Sequence, residues 1–261
     1  MYTQRIINEK QLARSKERMD LLNIGNYGLH AIDTRNIIKK KLVRDGDKLI
    51  IDNKTFDLRD YDKVVVFTVG KASVKASQAL EEILGDRINS GIGIDKESYQ
   101  GNSINVYKGD HPLPSLNNVS ISTQIKDEAE KLSEKDLAIV VISGGGSALL
   151  CYPESECMQS ANLYQDFLSS GGSVIELNTI RKHISGIKGG GLAKALFPAT
   201  VISMILCDVP GDHFPDVASG PTYKDKSTID DAITVLEKYN LTNNYNLKET
   251  PKEDKYFEKV F

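Results

Sequence analysis

Three contiguous apolar runs organise the chain: Val64–Val69 (VVVFTV), Leu137–Ile142 (LAIVVI) and Thr200–Leu206 (TVISMIL). Each lacks polar alternation and is rich in β-branched residues, which predicts strands buried on both faces, as in a parallel sheet. Each also stops abruptly, at Gly70, at Gly144–Gly146 and at Cys207–Asp208. Helical spacing follows the first stop, with Ala72, Ala76, Ala79, Leu80 and Ile83 as the packed face of a helix reaching about Leu84. Strand, glycine turn and helix open a doubly wound α/β unit.

The intervening segments fit the same plan. Gly91–Ile94 and Ile104–Tyr107 read as short strands, and Asn117–Leu132 and residues 158–170 as helices. Thr179–Leu196 reads as two helical pieces broken at Gly189–Gly191, and a last helix spans Thr228–Tyr239. Upstream, residues 4–43 are charged with helical spacing. Leu21, Leu22, Ile24, Leu29 and Ile32 give them an apolar face, and Asp33 or Thr34 caps a second helix. Leu49–Ile51 and Phe56 suggest a hairpin turning near Asn53. The expected architecture is an α/β domain over residues 1–250, with residues 1–60 as a helical and hairpin lead-in. Residues 251–261 read as a charged tail or connector to a further domain.

Composition narrows the function. A net charge of -3 over 261 residues gives no basic excess, so a nucleic-acid partner is not expected. Three cysteines make neither a disulfide framework nor a zinc pattern. No apolar stretch has the length of a signal core or a membrane span, which gives a cytoplasmic expectation with no membrane partner.

Ligands of open α/β sheets bind beyond the carboxyl ends of the strands, so the chemistry is sought in the three turns. In Val69-Gly70-Lys71-Ala72-Ser73, Gly70 permits a sharp turn. Lys71 falls at the start of a helix, either holding an anion or simply solvated. The loop is no Walker A motif, because Val65 stands where its first glycine belongs and Ala72 where its hydroxyl belongs. Ser143-Gly144-Gly145-Gly146-Ser147 exposes successive N–H groups between two hydroxyls, a candidate nest for phosphate or carboxylate. Asp208, just past the third strand, suits a magnesium ligand or a proton acceptor; Asp212 is a weaker candidate. Arg181, Lys182, His183 and Lys188 gather positive charge in an acidic chain. Arg181 and Lys188, seven apart, are expected on one helical face, with Lys182 pointing elsewhere into solvent. His183 reads equally as structural or functional. Gly109–Pro114 (GDHPLP) is a rigid loop whose Asp110 and His111 could reach a ligand.

Taken in order, VGKAS, GDHPLP, ISGGGSALL, LNTIRKHISGIKGGGLAKA, DVPGD and ASGPT resemble the N-terminal domain of the glycerate kinases that carry a MOFRL domain. The resemblance covers about Leu29 to Pro251. It implies a three-layer, Rossmann-like domain with a mostly parallel sheet, and transfer of a phosphoryl group from ATP to D-glycerate, commonly at the 2-position. It also implies that Lys71 and Asp208 are catalytic, and that Gly70, Ser143, Gly144, Gly145, Gly146, Ser147, Arg181 and Lys188 hold substrate or phosphate. In that scheme Arg181 and Lys188 offset phosphate charge, and Mg²⁺ bridges ATP oxygens, with Asp208 as its ligand or as the base. The family's closing MOFRL domain does not appear in this sequence, so a separate domain of that kind or a homo-oligomer is a possible partner. Two other readings stand beside it: a non-catalytic binder of a phosphorylated sugar acid or nucleotide, and a sugar-phosphate isomerase-like domain. The isomerase needs a base, for which only Glu176 and His183 offer themselves.

Overall fold

The computed structural model describes residues 6–207, 213–241 and 245–261. Three helices lead in: α1 (Glu9–Leu12), α2 (Lys16–Ala31) and α3 (Thr34–Lys41). The Asp33 carboxylate caps α3 by accepting the Arg35 N–H at 3.1 Å. The apolar positions of α2 find no core: Leu21, Ile24 and Ile32 are all about two-thirds exposed. The expected hairpin is a three-stranded antiparallel meander, β1 (Leu42–Asp45), β2 (Lys48–Ile51) and β3 (Lys54–Asp57).

The main domain then runs β4 (Lys63–Val69), α4 (Ser73–Leu84), β5 (Ser90–Asp95), β6 (Tyr99–Gln100), β7 (Ile104–Lys108) and α5 (Leu116–Glu130). It continues with β8 (Asp136–Ser143), α6 (Gly146–Leu149), α7 (Glu154–Ser170), α8 (Val174–Ile184), α9 (Gly191–Leu196), β9 (Thr200–Leu206) and α10 (Ile229–Lys238). The sheet order is β6-β7-β5-β4-β8-β9, parallel throughout except for the short β6 at one edge. The α/β, mostly parallel expectation therefore holds.

Alternation along β4 separates two cores. Val65, Phe67 and Val69 pack with Ile121, Ile125 and Ala129 of α5 and Leu192 of α9 on one face. Val64 and Val66 pack with Ala76, Ala79 and Leu80 of α4 and with Ile38, Leu49 and Phe56 on the other. Strands so covered on both sides must be apolar throughout, which is why β8 is buried at every position. A satellite core of Phe167, Leu177, Ile180 and Leu236 joins α7, α8 and α10.

Residues 251–261, expected as a charged tail or connector, pack against the sheet. Val260 bridges Val201 in parallel, and the Ser203 N–H donates to the Phe261 carbonyl at 2.8 Å, so the tail lies along the outer edge of β9. Its charge is spent on local pairing: Lys252 reaches Glu249 at 3.3 Å, and Thr250 Oγ1 donates to Asp225 at 3.2 Å.

Candidate active site

The strand order reverses between β4 and β8, because β5 and β7 extend the sheet to one side of β4 and β8 and β9 to the other. A crevice opens at such a switch point, beyond the carboxyl ends of the two strands. The turns that fill it are the first two picked out from sequence.

They interlock. Gly70 has φ +111, a conformation costly for any other residue. Its N–H donates to Ile94 O at 3.1 Å, and the Lys71 N–H donates across the crevice to Gly144 O at 2.9 Å. The Ala72 N–H donates to Ser143 Oγ at 3.1 Å, and that hydroxyl donates back to Val69 O at 3.2 Å. Gly145, at φ +84, passes so near the Lys71 stem that a Cβ there would sit 2.9 Å from Lys71 Cγ. Lys71 itself lies in the turn ahead of α4, not in its first turn, and is exposed. Asp95 steadies α4 by accepting the Val74 N–H at 3.0 Å; burial raises its carboxyl pKa, against the pull of those N–H bonds.

Lys71, Ala72, Ser143 and Gly144 line a hollow of about 530 Å³, together with Ile205, Leu206 and Cys207 at the end of β9. The three strand ends therefore share one rim. Asp208 and Asp212 lie outside the described residues. Burial, followed by the Lys71 and Lys96 ammonium groups, lowers the His111 pKa, so the GDHPLP loop stands within electrostatic reach of Lys71. Asp110 is engaged in the cap of α5, accepting from Ser115 Oγ at 2.6 Å.

A second, larger cavity of about 790 Å³ adjoins the first, with Ile205 and Phe214 in both walls. Phe214, Pro215 and Asp216 of the Phe214–Ser219 turn line it, and Ala218 and Ser219 at the end of that turn both have positive φ. Neighbours hold this backbone from two sides. Ser147 Oγ lies 3.0 Å from Ser219 Oγ, which donates to Asn178 Oδ1 at 3.0 Å. The Gly189 and Gly190 N–H groups donate to Ser219 O and Gly220 O. Ser147 is thus tied into the scaffold beside the rim.

The basic segment is arranged differently from the sequence expectation. Helix α8 ends at Ile184, so a seven-residue spacing does not carry Arg181 and Lys188 onto one face. Arg181 lies 5.8 Å from the Tyr164 ring, and burial lowers its pKa. Lys188 is fully buried, ion-paired with Glu156 and bonded to Leu150 O at 2.7 Å. Neither lines the hollow at Lys71. Conversely, Lys182 is not solvated: it is buried, 3.3 Å from Asp225 and 3.9 Å from Asp216, in the wall of the larger cavity. His183 is structural, with Nδ1 2.8 Å from Thr179 O and Nε2 3.3 Å from Glu249. Sequence reasoning missed Asp216, Asn178 and Glu156. For Asp216 the available signal was its place between Pro215 and the ASGPT run. Among the described residues, no cluster of three or more His, Cys, Asp or Glu could hold a metal.

Comparison with known proteins adds the family. Residues 20–250 match the family model described as "Domain of unknown function (DUF4147)". A D-glycerate 2-kinase of Thermotoga maritima is 36% identical over 209 residues, covering 76% of this chain and 50% of its own. A glycerate 2-kinase of Pyrococcus horikoshii is 35% identical over 231 residues, covering 85% and 51%. A crystal structure of a Pyrococcus horikoshii OT3 protein superposes with a TM-score of 0.81 at 30% identity, covering 95% of this chain and 59% of the other. The chain spans about half the length of the curated relatives it matches. It belongs to the DUF4147 family.

Proposed function

We propose that this chain carries the anion-binding half of a kinase that moves the γ-phosphoryl group of ATP to a hydroxyl of D-glycerate, giving 2-phosphoglycerate. One observation supports it above the others: the Lys71 turn and the Ser143–Gly146 turn are hydrogen-bonded across the switch point, presenting one exposed ammonium beside a glycine-rich backbone. Phosphoryl transfer asks chiefly for positioning and charge neutralisation. Lys71 and the N–H groups of the glycine turn supply both, holding phosphate oxygens or the glycerate carboxylate. Rigid donors are worth more here than mobile ones, because they need no reorganisation as charge develops.

Arg181 and Lys188 contribute indirectly in this scheme. Lys188 secures the loop from Leu150 to Glu156, and Arg181 rests on α7. Magnesium binds through one or two carboxylates together with phosphate oxygens and waters. The described residues around Lys71 include no such carboxylate. This chain's share of the metal would rest on Asp208, with the same residue as the alternative base. When bound, the ion would neutralise charge on the transferring phosphate.

The isomerase reading loses its bases, since Glu176 is held by Ser173, Lys238 and Tyr239 and His183 by Thr179 and Glu249. Among the described residues no helix is long and apolar enough to cross a membrane. The deciding experiment is a coupled ATP–glycerate assay on the chain alone and with the relatives' second half supplied separately. Phosphoglycerate in either mixture supports the kinase. Calorimetric binding of ATP or glycerate without turnover in both would replace it with a binding module.

A further inference from the structure

Glycerate, a three-carbon acid, would fill only a small part of the hollow space behind the rim. The 790 Å³ cavity has the size of sites that enclose much larger ligands. Its walls are mainly apolar, and three aromatic rings in them are exposed: Phe214 at 37%, Tyr223 at 41% and Phe261 at 44%. Exposed rings around a concave site suit a flat heteroaromatic group.

The polar groups in the wall discriminate further. Lys182 is consumed by Asp225 and Asp216, and Lys224 by Asp254. The Asp225 carboxylate is saturated, accepting from Ser227 Oγ at 2.8 Å and Thr250 Oγ1 at 3.2 Å besides Lys182. Asp216 differs: among the described residues its carboxylate has only the 3.9 Å approach of Lys182, beyond hydrogen-bond range. An acceptor with unused lone pairs in a mostly apolar cavity selects a ligand with hydroxyl donors and repels an anionic end. The anionic end is served elsewhere, at Lys71, and the two hollows meet at Ile205 and Phe214.

We propose that this cavity is the nucleoside subsite of the phosphoryl donor. The purine lies among Phe214 and Tyr223, Asp216 accepts from the ribose hydroxyls, and the phosphates pass Ile205 and Phe214 to reach Lys71. The choice of nucleotide rests on the kinase reading above; the location rests on the cavity.

The test separates the two ends of the ligand, using adenosine and inorganic tripolyphosphate as calorimetric probes on the full chain. Thr179→Trp fills the cavity from α8, where the Thr179 hydroxyl bonds only its own helix, at Ile175 O. This variant should weaken adenosine at least tenfold and leave tripolyphosphate unchanged. Asp216→Asn keeps the shape and should weaken adenosine roughly tenfold, the scale of a hydrogen bond to a charged group. Lys71→Ala should do the reverse, losing tripolyphosphate and keeping adenosine. Adenosine binding that ignores both cavity variants, or no adenosine binding by the folded wild type, overturns the subsite. Turnover that persists alongside cavity-independent adenosine binding rejects the subsite and leaves the kinase. The expected binding pattern without turnover, even with the second half supplied, rejects the kinase and leaves the subsite.

Discussion

Gly70 and Ser143 approach so closely that a Cβ on the glycine would fall 2.3 Å from Ser143 Oγ and 2.4 Å from the Ser143 carbonyl oxygen. The clash is with backbone and cannot be relieved by a rotamer change. Gly70→Ala would also force φ +111 on a residue with a Cβ. The variant is expected to lose at least about 2 kcal/mol, the scale of strain combined with overpacking. Urea unfolding measures this, and wild-type stability would show that the two turns are not locked together.

Lys71 makes the opposite prediction. Its side chain is exposed, and its tertiary hydrogen bond comes from the backbone N–H, which alanine retains. Lys71→Ala should leave the melting temperature within a degree or two and reduce kcat/KM for glycerate phosphorylation by orders of magnitude, about a hundredfold or more. Steady-state kinetics on the active assembly measure the loss. An unchanged kcat/KM would remove Lys71 from the chemistry.

Much of this was readable in the sequence because it is local. A strand buried on both faces must be largely apolar, so β4 and β8 announce themselves, and the turns after them carry their glycines in plain order; β9, only half-buried at four of its seven positions, was legible from its apolar run alone. The role of Lys188 is not local. Its partner Glu156 lies thirty-two residues away on α7, and nothing near Lys188 shows that the ammonium is enclosed. Lys182 misled for the same reason, since Asp225 meets it only after the chain has passed through β9. The packing of the tail was hidden because KETPKEDK is highly charged; those charges pair with Asp225 and with one another while Val260 and Phe261 follow the sheet edge. Strand β1 escaped notice because four residues directly after a helix give too short a pattern.

Lys188 and Glu156 are both buried and satisfy each other, so removing one partner strands a charge. Lys188→Met is expected to destabilise the fold by about 3–5 kcal/mol. The Lys188→Met/Glu156→Leu pair should recover most of that, because two well-packed apolar groups need no compensation. Burial already raises the Glu156 pKa, against the attraction of Lys188. Without the ammonium, Glu156 will take up a proton more readily, so the deficit of the single variant should shrink at mildly acid pH and grow at alkaline pH. Chemical denaturation across pH checks the sign, and a pH-independent deficit would contradict it.

Glu249 ties the tail to α10 and α8, accepting the Ile229 N–H at 3.2 Å and the Thr250 N–H at 3.0 Å beside Lys252 and His183. Partial burial opposes ionisation, but these N–H bonds and the Lys252 ammonium prevail and bring the carboxyl pKa from 4.5 to about 2. The folded state therefore binds this proton more weakly than the unfolded state. The resulting stabilisation is complete above pH 4.5 and is lost as the pH falls through about 2. Glu249→Gln, which carries no charge at any pH, should melt below wild type at neutral pH and converge with it in acid. Melting curves followed by circular dichroism over that window test the point: two parallel pH profiles would mean that the Glu249 charge does not hold the tail in place.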